Sequence, residues 1–271
     1  MSTTSAEPSA QPGLLDRRLG AIDGAAIVVS NVIGGGIFLV PAFVAASVSH
    51  PWAMLAVWLA GGVLAFTGAM AYAELAALRP RAGGEYVYLR EAFGPFAAFL
   101  TGWTSFVAGF AGAIAASAVG LSAYLGRFIP AAGDTTPLVT LPLGLLDLTV
   151  SPQALAAIAV IAVLSVVHIL GLGPGRVVQN LLGGLKVALL VGFVAAGFGW
   201  GQGDTAHFSA GGSVAPSLWV LALIPVMFSY SGWNAAAYVA EEMRDPGRNV
   251  PLALGLGTAA VVIVYLLLNL L

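Results

Sequence analysis

The 271-residue chain is 59% hydrophobic and 8% charged, with a net charge of −2; a soluble domain carries about 25% charged residues, so this is the composition of an integral membrane protein. The near-neutral balance leaves no basic face for nucleic acid, and the absence of cysteine excludes disulfides, thiolate metal sites and thiol nucleophiles. The three histidines, His50, His168 and His207, are too scattered to form a metal cluster, so no metal or cofactor is expected.

Residues 1–19 are polar and rich in Pro and Ser. They lack the apolar stretch of a signal peptide and read as a disordered cytoplasmic tail. A membrane span needs about 20 apolar residues. Seven stretches qualify: 21–46, 52–78, 95–125, 154–173, 177–200, 216–241 and 251–271. Arg17, Arg18, Arg79, Arg81, Arg90, Arg176, Arg244 and Arg248 fall in connections on one side, and only Arg127 on the other. That bias puts the N-terminus in the cytoplasm of a multi-pass protein of the cell membrane. The chain ends in "VVIVYLLLNLL" without a polar flank, which suggests a truncated product.

Charged and aromatic residues fall into ordinary roles at most positions. Asp23 lies in the first turn of the first span, where an acid suits the helix N-terminus. Glu74 reads as an ion-pair partner of the nearby Arg79 and Arg81, and His168 as a hydrogen-bonded core residue. Trp52 and Trp200 fit interfacial belts. Glu241, Glu242, Arg244, Asp245 and Arg248 make a charged turn where the sixth span leaves the membrane.

Two spans are interrupted. "VSNVIGGGIFLVP" places Gly34, Gly35 and Gly36 near the middle of the first, and "FSYSGWNAAAYVAEEM" places Ser229, Ser231 and Gly232 near the middle of the sixth. Glycines in membrane helices also serve close packing. Each, however, weakens a helix by about 1 kcal/mol relative to Ala, and non-helical backbone at membrane depth survives only in protein or around a cavity. Paired breaks at matching offsets point to the binding site of an inverted-repeat transporter. Freed N–H groups at a half-helix N-terminus suit a carboxylate, and freed carbonyls suit an ammonium. An amino acid carries both.

Lys186 is the third unusual feature. It lies about 15 Å along the fifth span, where a lysine costs about 2.5–3.5 kcal/mol to insert. Its depth disfavours snorkelling to the interface, and such residues mark ion or proton pathways.

"IGGGIFLVP", "PRAGGEYVYLREAFGP" and "FSYSGWNAAAYVAEEMRDPGRNVP" resemble signature stretches of the amino acid–polyamine–organocation (APC) superfamily of permeases, above all its L-amino-acid transporter-like branch. The likeness runs from Leu19 to Leu271. It implies an all-α membrane protein with the LeuT-type inverted-repeat fold, truncated here after about seven transmembrane helices. Residues 20–200 would form the first five-helix repeat and 216–271 the start of the second. By this resemblance, Val32, Ile33, Gly34, Gly35 and Gly36 offer backbone to the substrate carboxylate. Phe228, Ser229, Ser231 and Gly232 face its amino group and side chain, with Phe228, Trp233 and Asn234 as gate candidates. The family more often has Ser at the position of Gly35, so a hydroxyl is missing here. Some relatives hold a lysine where sodium-coupled members bind sodium, so Lys186 would replace the cation or couple to protons.

The resulting expectation is a sodium-independent amino-acid permease or exchanger working by alternating access, with the lipid bilayer and an amino acid as partners. The alternative is a non-transporting fragment that needs the missing C-terminal helices or a partner chain. An enzyme is disfavoured because no nucleophile–base pair, metal-ligand spacing or phosphate loop is evident. A seven-helix receptor fails on the cytoplasmic N-terminus and the lack of a lysine in the last span.

Overall fold

A computed structural model of the chain describes residues 17–144, 147–169, 172–201, 203, 208 and 212–271. The fold is almost wholly helical. The first span is a bent pair, α1 (Ala21–Val32) and α2 (Gly36–Ser47), turned by 51° at Ile33–Gly35. α3 (Pro51–Leu78) follows, then the short α4 (Glu85–Phe93). The third span joins α5 (Pro95–Thr104), a π-helical stretch (Ser105–Phe110) and α6 (Ala111–Leu125). α7 (Pro130–Gly133) leads to α8 (Pro152–Ile169) and α9 (Leu172–Trp200). α10 (Pro216–Ser229), α11 (Ala235–Tyr238), a 3-10 turn (Ala240–Glu242) and α12 (Pro246–Leu270) complete the described residues.

Among the described residues, five helical stretches are long and apolar enough to cross a membrane, and six if the bent pair counts as one. The expected sixth span, 216–241, differs. α10 ends at Ser229 after 14 residues, and the backbone then turns through Tyr230–Asn234. Pro225 inside α10 removes one ladder hydrogen bond, and Gly232 takes φ 102°, a left-handed conformation that only glycine adopts without strain. A second departure is an antiparallel hairpin, β1 (Val139–Pro142) with β2 (Asp147–Val150), in register from Val139↔Val150 to Pro142↔Asp147. Val139, Leu141, Leu148 and Val150 recur at every second position, a strand pattern in the connection between the third and fourth expected spans. Beside it, backbone and side-chain hydrogen bonds from Thr136 hold the Asp134 carboxyl below its usual range.

The packing centre lies where α12 rests on α3 and α1, and α10 on α3 and α2. α3 presents Gly61, Ala65, Ala69 and Ala73 every fourth residue, all buried. Such a small-residue stripe lets helices approach closely where no hydrophobic force drives them together. α6 packs on α8, and α9 reaches α8, α12 and α1. The large exposed hydrophobic residues, such as Phe106, Ile158, Leu189 and Ile224, suit contact with lipid.

Arg18 and Leu19 are tied down. Both donate backbone N–H groups to Glu242 O, at 2.9 and 3.0 Å, and Arg244 N returns one to Leu19 O at 2.8 Å. The start of the first span is thus stitched to the turn after the sixth. Residues 1–16 of the stretch read as a tail lie outside the described residues, as does His207.

Candidate functional site

The two breaks meet. A Cβ built on Gly36 would lie 2.8 Å from Ser229 Oγ and 2.9 Å from its Cα, and one on Gly232 would lie 3.3 Å from Asn31. The start of α2 therefore touches the end of α10, and the end of α1 touches the turn beyond α10.

Every helix end leaves four backbone groups without a partner in the ladder. At the end of α1, Val29 O accepts from Ile33 N at 3.0 Å, Ser30 O from Lys186 Nζ, and Val32 O from the Tyr265 hydroxyl at 3.0 Å. At the end of α10, Val226 O and Phe228 O accept from Tyr230 and Ser231. Ser229 O lies 3.2 Å from the same Tyr265 hydroxyl. The N–H groups of Gly34, Gly35 and Gly36 show no acceptor among the described residues. They sit at the positive end of α2, where an anion is stabilised.

Tyr265 escaped the sequence reading. It comes from α12, is fully buried, and bridges the carbonyl ends of both broken helices with one hydroxyl. Trp58 and Tyr230 pack on its ring at 5.8 and 5.1 Å, and Tyr230 donates to Trp58 O at 3.2 Å. A phenol deep in a span must find a partner, which is the signal "VIVYLLL" carried. A Tyr265→Phe substitution should keep the packing but strand two carbonyls, at about 1–3 kcal/mol for unsatisfied groups. The expected result is a lower melting temperature in detergent and weaker substrate binding; an unchanged melting temperature would mean the hydroxyl bridges nothing of consequence.

The anticipated site residues divide by exposure. Val32 and Ile33 are buried, with Ile33 N already donating to Val29 O and Val32 O accepting from Tyr265, whereas Gly35, Ser231 and Phe228 are exposed at the break. Ser229 is buried, and its hydroxyl donates to Pro225 O at 3.1 Å; it is the contact between the breaks. Trp233 lies edge-on to Tyr72 at 5.0 Å. Asn234 Nδ2 donates to the Tyr238 hydroxyl at 3.2 Å, and that hydroxyl donates to Glu85 Oε1 at 2.6 Å.

Lys186 reaches Ser30 O from α9, half-buried. One turn earlier, a Cβ on Gly183 would lie 2.9 Å from Ser30 Oγ. The absence of a side chain there lets α9 come close enough for the lysine to cap α1.

Other expectations need correction. Glu74 is exposed, and Arg79, drawn over by the turn after α3, pairs with Glu91 of α4 at 2.5 Å instead. His168 is exposed and, among the described residues, bonds only Leu164 O on its own helix, at 2.8 Å. Glu241, in the charged turn, accepts from Ala82 N at 3.1 Å. Tyr88, on α4, is buried, and its hydroxyl has no partner among the described residues. Burial first, then the nearby Tyr72 and Glu85, pushes its pKa up to about 12, so it stays a neutral phenol at physiological pH.

These features define a mostly helical, multi-pass membrane protein with two apposed helix breaks. The Amino acid permease family model matches residues 19–271, and the chain belongs to that family, in the L-amino-acid transporter branch of the APC superfamily. It is 34% identical over 259 residues to the b(0,+)-type amino acid transporter 1 of Oryctolagus cuniculus, covering 94% of this chain and 50% of that protein. It is 28% identical over 256 residues to the Serine/threonine exchanger SteT of Bacillus subtilis (94% and 54%). Identity is 30% over 286 residues to the Large neutral amino acids transporter small subunit 2 of Rattus norvegicus (99% and 50%). The chain spans about half the length of the curated relatives it matches. The relatives are transporters, not enzymes.

Proposed function

We propose that the protein moves L-amino acids across the cell membrane, without sodium, as a permease or exchanger of LeuT-type architecture with a cytoplasmic N-terminus. The observation that carries this reading is the apposition of two broken helices, with the N–H groups of Gly34–Gly36, which have no acceptor among the described residues, on one side and Ser231 exposed on the other. The substrate carboxylate would bind at the start of α2, and the ammonium and side chain would face Phe228, Ser231 and Gly232. Phe228, Trp233 and Asn234 remain the gate candidates. Sodium independence is supported by Lys186, whose ammonium occupies the end of α1 where a cation could otherwise be held by carbonyls.

A second reading is favoured by the coverage of the relatives: this stretch supplies half of a transport unit and needs further helices or a partner chain to work. One experiment addresses both. The chain is reconstituted alone in proteoliposomes, and uptake of a panel of radiolabelled L-amino acids is measured in sodium and in choline buffer. Equal uptake in the two buffers is expected for an active sodium-independent carrier. Uptake seen only in sodium would overturn the role given to Lys186. Binding of an amino acid without uptake would favour the second reading.

A further inference from the structure

Asn234 lies in the sixth-span break, and the groups behind it leave its amide only one orientation. Glu85 opens α4 on the loop after α3. As a carboxylate it can only accept, so the 2.6 Å contact from Tyr238 uses the one proton of that phenol and is short, as a charge-assisted bond is. The phenol oxygen is then left to accept. Only the NH2 of Asn234 can serve it, at 3.2 Å. The amide oxygen of Asn234 must therefore point away from Tyr238. The loop is held hard against this chain: a Cβ on Gly84 would lie 2.8 Å from the Tyr238 ring. The other oxygen of Glu85 and the Tyr88 hydroxyl are buried and without partners among the described residues, so no competing donor is seen to draw Glu85 away.

We infer that Glu85 is a positioning residue for substrate selection: through Tyr238 it fixes Asn234 with its amide oxygen turned to the pocket, where it accepts from the ammonium of an amino acid. This inference rests on the substrate site proposed above. It explains how a loop carboxylate outside the pocket sets the pocket's polarity. A ligand bearing an acceptor in place of the ammonium, such as a 2-oxo acid, meets an acceptor and is rejected. With glutamine at 85 the direction of the chain is no longer compelled, because the side-chain amide can donate to Tyr238, which then donates to Asn234. The Asn234 amide is free to turn and offer NH2 to the pocket.

The test is binding of L-serine, L-leucine and L-arginine, each against its own 2-oxo acid, to the purified protein and to Glu85→Gln, Tyr238→Phe and the double variant. Both single changes are close to isosteric, and a monodisperse elution profile verifies folding. Each single variant should lower the preference for the amino acid over its 2-oxo acid by about tenfold, the scale of one hydrogen bond to a charged group. The double variant should lower it no further, because one cut already frees the amide. A purely structural role would weaken both ligands alike and leave the ratio unchanged, and that result, or additive losses, overturns the inference. Asn234→Ala separates the two levels of argument. If it weakens amino-acid binding while Glu85→Gln leaves the ratio intact, only this inference fails. If it has no effect, or if none of the three amino acids binds the unaltered protein, the substrate site itself is misplaced and the inference falls with it.

Discussion

A Gly36→Val variant is expected to bind substrate about ten- to a hundredfold more weakly while still inserting in the membrane. The reason is steric and specific to this position. Any Cβ at Gly36 falls within 3 Å of both the hydroxyl and the Cα of Ser229. The hydroxyl could rotate aside, but the backbone atom cannot, so α2 and α10 must part. Overpacking of this kind costs about 1–3 kcal/mol, and each 1.4 kcal/mol is about tenfold in affinity. Gly35 provides the control. It is exposed, has φ −62°, and a Cβ there meets nothing within 4 Å. Gly35→Ala should therefore bind within a small factor of the unaltered protein in isothermal titration. Equal losses at the two positions would mean that the glycine run acts through helix propensity rather than through contact between the breaks.

Lys186→Met should reduce uptake to less than about a tenth, since a stranded buried carbonyl and the lost charged donor together amount to about 1–3 kcal/mol. The substitution keeps length and packing, and removes only the donor to Ser30 O. Among the described side chains, Tyr265 of α12 is then the one left donating to a carbonyl at the end of α1. Uptake by Lys186→Met and by the shorter Lys186→Ala, each in sodium and in choline, separates two roles. If the ammonium stands where a cation would, sodium should partly restore the alanine variant, which leaves room for an ion, and not the methionine variant. Full activity of both variants in choline would show that the lysine is dispensable.

The features legible in the sequence were those written locally. Three consecutive glycines, a serine–glycine cluster at the same depth and one lysine in an apolar run each violate a rule of membrane helices within a few residues. The structure has the breaks and the lysine within the same small region. What was not legible depended on distant pairs. Tyr265 sits 233 residues from Val32, and nothing near it says which carbonyls it meets. Glu85 reads as a loop acid, yet its partner Tyr238 is 153 residues away. The pairing of Glu74 with Arg79 failed for the opposite reason. Proximity in sequence suggested it, but the turn after α3 carries Arg79 toward Glu91 on α4. The three glycines also looked equivalent, and only their surroundings separate Gly36, pressed on Ser229, from Gly35, where a Cβ would meet nothing within 4 Å.

The central claim is that an amino acid binds between the two breaks, and the chain's lack of cysteine allows a direct measurement. Single cysteines are introduced by Gly35→Cys and Ser231→Cys, both at exposed positions. Their rates of modification by a small thiol reagent are followed in proteoliposomes, in choline buffer, with and without each L-amino acid. At least one amino acid should slow modification at both positions, with the same half-saturating concentration. Modification rates at the two cysteines that no amino acid alters, or protection at one break without the other, would contradict it.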